Sequence, residues 1–133
     1  MPEIETADSL LTAAKRDLHV LKNMTDPEAF PIEAFGFHAQ QAVEKALKAW
    51  LCIRSVAYRR SHNLRYLLAL LDEAGDDVSR WWEFVDLSAF AVQFRYDAFD
   101  AEDYPLDRGE LIERTVALVD HVSALLRAAS SKD

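Results

Sequence analysis

Glycine and proline are scarce, three and four in 133 residues. A many-stranded sandwich needs turn residues at short intervals, so the shortage argues against one and suits a few long helices. Cysteine is scarcer still. A lone Cys52 has no partner for an internal disulfide, which fits a reducing compartment. No apolar run approaches the roughly 18 residues of a membrane span. The opening residues, Met1-Pro2-Glu3-Ile4-Glu5, are acidic and show no secretory signal. A cytoplasmic location without membrane contact is the expectation. Positive charge is also short. The formal net charge of −8 argues against broad nucleic-acid affinity, which needs Lys and Arg to neutralise phosphates. His19, His38, His62 and His121 include no i,i+4 pair, and no Gly-rich phosphate loop or Ser-His-Asp constellation occurs. No metal and no cofactor are expected.

What the chain has is apolar surface, half of its residues, arranged at helical spacing. One domain spanning 1–133 and built of about five helices is expected. The first helix covers about 8–23, with Leu11, Ala14, Leu18 and Leu21 on one face. The second begins near Pro31 and carries the stripe Phe35, Ala39, Ala42, Ala46, Ala49 and Ile53. Gln41, Glu44, Lys45 and Lys48 are expected on its opposite side, with Glu44 and Lys48 at i,i+4. Asn63 or Ser61 caps a third helix carrying Leu64, Leu67, Leu68 and Leu71, and Gly75 stops it. Ser79 caps a fourth, with Trp82, Val85, Ala89 and Val92 on one face. Trp81, Phe84, Leu87, Phe90 and Phe94 make that helix apolar nearly all round, predicting the most buried element or a subunit interface. After an irregular stretch at 95–106, Asp107 and Glu110 resemble a capping box opening a fifth helix with Leu111, Leu118, Val122 and Leu125.

Charge is unevenly spread. Residues 54–66 hold Arg54, Arg59, Arg60 and Arg65 and no acid, whereas 97–113 hold seven acids against Arg108 alone. Short connections favour an up-and-down bundle, which sets the loops after the second and fourth helices at one end. The arginine run then stands beside Arg95. One reading is a polar site that receives a phosphate or an acidic partner. The plainer one is that the arginines pair with the protein's own carboxylates. Asp97, Asp100, Glu102 and Asp103 lack the spacing of an EF-hand loop. His38 reads as a structural histidine and Cys52 as a buried, inert thiol. Trp81 and Trp82 could stack bases, but core packing or a dimer seam explains them more simply.

Three segments carry a family resemblance. Phe37-His38-Ala39-Gln40-Gln41-Ala42-Val43-Glu44-Lys45-Ala46-Leu47-Lys48 is similar to the second-helix signature of HEPN (higher eukaryotes and prokaryotes nucleotide-binding) domains. His62-Asn63-Leu64 resembles that family's His-x-Leu opening of the third helix, and Arg95-Tyr96 its Arg-Tyr position. The resemblance implies a helical bundle, usually a homodimer, often acting with a minimal nucleotidyltransferase encoded beside it. Many such proteins are RNA-cleaving toxins, whose arginine is followed four to six residues later by a histidine. Here no histidine falls within 96–102. In the toxin subgroup a tyrosine near that place can be modified, and Tyr104 is the nearest match. The leading expectation is therefore an interaction module rather than an enzyme. That module would serve a toxin–antitoxin-like or nucleotide-related system, and the alternative is a metal-independent endoribonuclease, a toxin of that family, using Arg95 with a non-standard base. Candidate residues for a nucleotide or partner site are Arg95, Tyr96, Asp97, His62, Arg59, Arg60 and Tyr104.

Overall fold

The computed structural model describes residues 2–91 and 106–131. Helices α1 (Ile4–Lys22), α2 (Ile32–Ile53) and α3 (Leu64–Glu73) are followed by a 3₁₀ helix (Ser79–Phe90) and α4 (Arg108–Ser130). This is the helical bundle expected from the sequence, with no strand among the described residues. No helix among them is long and apolar enough to cross a membrane.

Helix α2 is the hub and touches every other helix. Its stripe, Phe35, Ala39, Ala42, Ala46, Ala49 and Ile53, is wholly buried. Alanines let α1 approach closely, where Leu11, Ala14, Leu18 and Leu21 complete the seam. Each leucine so buried stabilises the fold by about 1.5–3 kcal/mol. At the edge of this seam Asp17 receives Lys45 Nζ at 2.6 Å and lies 3.3 Å from His38 Nδ1, the structural role expected for that histidine.

The first helix starts before residue 8 because its entry is held by tertiary contact. The Glu3 N–H donates to the Cys52 carbonyl at 3.1 Å, so the chain is seated on the end of α2 before its periodic residues begin. Pro31 is the N-cap of α2 rather than its first residue. Arg108, the lone cation of the acidic segment, donates to the carbonyls of Met24 at 2.9 Å and Phe30 at 2.7 Å. Its guanidinium lies over Phe35, so α4 is clipped to the α1–α2 connection. Asn63 caps α3 through Tyr66 N–H, and Asp107 caps α4 through Glu110 N–H, both as expected. Gly75 ends α3 at φ +99°, a backbone state that a Cβ disfavours.

The fourth helix differs from expectation. It is 3₁₀, and it buries Trp81, Phe84, Leu87 and Phe90 in place of the Trp82, Val85 and Ala89 face. The reason is spacing. Those four recur every third residue, and a 3₁₀ helix has three residues per turn, so they line up on one side. Trp82 is left 37% exposed, so the element is amphipathic and α2 is the more deeply buried. Val92 and Phe94 lie outside the described residues. Phe90 fits against α2 only because residue 36 is glycine; a Cβ there would stand 2.4 Å from the ring.

His121 on α4 packs edge-on against Trp50, with ring centroids 4.9 Å apart, and tilted against Trp81 at 5.8 Å. Burial holds its pKa below the ordinary 6.5, helped by Arg80 and Arg54 and opposed by Asp76. The fold therefore favours the neutral ring. Stability is complete above about pH 6.5, then falls as pH drops from there through the lower folded-state value. Thermal melts of wild type and His121→Phe should show an extra acid-side loss of Tm in the wild type alone. Parallel curves would refute this account.

Candidate functional site

Where α2 meets the loop leading into α3, it carries Gln40, Glu44 and Lys48 at successive i,i+4 spacings. The sequence placed Glu44 on the solvent side. In the fold it is buried, its side chain 5% exposed, because the 55–63 loop closes over that side of α2. A buried carboxylate persists only if its lone pairs are filled. Glu44 Oε1 accepts from Gln40 Nε2 at 3.0 Å and lies 2.9 Å from His62 Nδ1, while Oε2 accepts from Lys48 Nζ at 2.9 Å. Burial alone would raise its pKa, but the donors Gln40, Lys48 and His62 outweigh that and hold it below the ordinary carboxylate value.

Gln40 also donates to the His62 carbonyl at 3.1 Å, and its own Oε1 accepts from Gln41 at 2.9 Å. His62 is thus held at its backbone and at one ring nitrogen, yet its side chain is 63% exposed. Carboxylate oxygens only accept, so Nδ1 carries the proton that bridges to Glu44. The neutral ring then presents an Nε2 lone pair, and the protonated ring an Nε2–H donor. The exposed ring is thus anchored at Nδ1 while its backbone is fixed separately.

The neighbouring arginines divide. Arg54 is used internally, in a two-pronged pair with Asp76 at 2.8 and 2.9 Å, so the plainer reading of the arginine run holds for it. Arg59 lies over the Tyr66 ring at 4.0 Å, and its backbone N–H donates to the Tyr66 hydroxyl at 2.9 Å. Stacking on a ring face leaves the edge donors of a guanidinium open. Arg60 is exposed, and neither it nor Arg59 or Arg65 has a carboxylate partner among the described residues.

Of the residues singled out from the sequence, His62, Arg59 and Arg60 share one short loop. Arg95, Tyr96, Asp97 and Tyr104 lie outside the described residues. Gln40, Glu44 and Lys48 were missed as supports of the site. The signal was present, since polar residues at i, i+4 and i+8 inside an alanine-rich helix share one face. Cys52 is buried as expected, and burial pushes its thiol pKa up. Among the described residues no group of His, Cys, Asp and Glu is arranged to hold a metal ion.

The geometry gives the two motif segments a physical meaning, because the second-helix glutamate grips the histidine that opens the third. Neither a curated protein nor a solved structure matches the chain. The sequence pattern of the HEPN domain does match, over residues 7–128. That span reaches from the second turn of α1 to the last turn of α4, and the chain belongs to the HEPN domain family.

Proposed function

We propose that the chain is a HEPN-type interaction module acting as a homodimer with a separately encoded minimal nucleotidyltransferase. The observation that carries this reading is a family match over residues 7–128 in a chain with no histidine at 96–102. A nucleotide-related or RNase-type role belongs to such a module, and the missing histidine favours binding over cleavage. His62, Arg59 and Arg60 form the polar face offered to a nucleotide-bearing partner, with Arg95, Tyr96, Asp97 and Tyr104 as further contributors. Co-expression with the nucleotidyltransferase encoded beside it should yield a complex, and sedimentation of the chain alone should give twice the monomer mass. A monomer that ignores the enzyme would end this proposal.

One observation favours a second reading, an endoribonuclease that uses Arg95 with a non-standard base. The Glu44–His62 pair resembles the carboxylate–imidazole pairs that orient a general base, and its imidazole side chain is 63% exposed. Incubation with total RNA separates the two. Cleavage that is lost in both Arg95→Ala and His62→Gln would replace the first proposal; intact RNA supports it.

A further inference from the structure

We infer that His62, Arg59 and Arg60 form an oxyanion site gated by a proton, holding a phosphate group more tightly when the His62 ring is charged than when it is neutral. The inference deepens the polar-face reading above and rests on it. Three observations on separate residues converge here. The 54–66 segment carries four arginines and no acid, so an arriving anion meets no like charge from the loop itself. Arg54 is consumed by Asp76, whereas Arg59 and Arg60 keep their guanidinium edges free of carboxylates among the described residues. Between them and α3 stands His62, exposed but mounted from below by Gln40 and Glu44.

Glu44 makes the gate. Because it accepts from Nδ1–H, the proton that comes and goes is the one on Nε2, the other nitrogen of a ring whose side chain is 63% exposed. A neutral ring turns a lone pair toward the anion and repels it. A charged ring turns a donor toward it and adds a positive charge. His62 is contacted by Gln40 at its carbonyl and by Glu44 at Nδ1, both from α2, and Lys48 pairs with the second oxygen of the same carboxylate. Lys48 already neutralises Glu44 at 2.9 Å, so the carboxylate does not cancel the ring's charge toward an incoming ligand. A loop staple alone would need neither an exposed imidazole nor unpaired arginines beside it.

The full chain should be titrated with sulfate, a dianion whose charge is constant over the range, and with the diester adenylyl-adenosine. Adenosine serves as the phosphate-free comparison. At about pH 5.5 sulfate should bind about tenfold more tightly than at about pH 8, the interval in which imidazoles change charge. His62→Gln, an exposed substitution checked for folding by circular dichroism, should bind equally at both. Arg59→Ala with Arg60→Ala should weaken binding at both pH values and keep the slope. Tighter binding of the diester than of sulfate assigns the oxyanion to a nucleotide; the reverse assigns it to a free anion. Sulfate binding without a pH slope, or a slope that survives in His62→Gln, overturns the gate and leaves the polar face standing. Absence of binding by both probes, or equal binding of adenosine, overturns the oxyanion site and with it the polar-face reading.

Discussion

Gly36→Ala is expected to destabilise the protein by about 2–3 kcal/mol, the range of overpacking in a well-filled core. An exposed helical glycine would gain from the same change, since alanine is the better helix former by up to about 1 kcal/mol. The sign reverses here because the new Cβ would stand 2.4 Å from Cγ and Cδ1 of Phe90. Cγ is the root of the ring, so no small rotation relieves the clash. The ring belongs to a residue 1% exposed, so it lies within the packed core. Either α2 and the 3₁₀ helix separate or Phe90 leaves the core. Urea unfolding of Gly36→Ala, Phe90→Ala and the double variant checks this. The double variant should lose much less than the two single losses combined, because alanine at 36 has room once the ring is gone. Simple additivity would show that the two residues do not meet.

Glu44→Ala should cost about 3 kcal/mol, the usual consequence of removing one partner from a buried ion pair. Lys48, its side chain 14% exposed, loses its counter-charge, and the buried Gln40 loses an acceptor. Replacing Glu44 and Lys48 together by Leu and Met should return most of this loss, because no buried charge is then left unpaired. His62 would lose its anchor in both variants. Amide exchange at residues 59–63 should therefore accelerate in the double variant even where global stability recovers. Unchanged exchange would mean that the loop does not depend on Glu44. The acid limb carries the same signature. The folded-state pKa of Glu44 lies below the ordinary 4.5, so its contribution is complete above that value and is lost as pH falls through the folded one.

Much of the fold was legible because it rests on local rules. The alanine stripe of α2 and Leu64, Leu67, Leu68 and Leu71 of α3 recur at helical spacing, and every one is buried. The caps at Asn63 and Asp107 and the stop at Gly75 are chemistry between near neighbours in sequence. The 3₁₀ helix was misjudged because its apolar residues surround the axis and satisfy more than one period. Only packing against α2 and α3 selects the Trp81-Phe84-Leu87-Phe90 side. The site was legible in part. His62, Arg59 and Arg60 drew notice through charge and motif, but Glu44 read as a solvated residue because its burial comes from a loop beginning eleven residues later.

Side-chain spacing was enough to give an all-helical bundle, the apolar faces of α1, α2 and α3, the caps at Asn63 and Asp107, and the family. Each of these depends on the period of the side chains or on residues a turn apart. Tertiary structure alone decided which polar residues went inside, which arginine was consumed and which stayed open, and that Gly36 must yield its space to an aromatic ring. Those outcomes depend on segments far apart in sequence meeting at atomic distance, and one-dimensional spacing holds no record of such meetings.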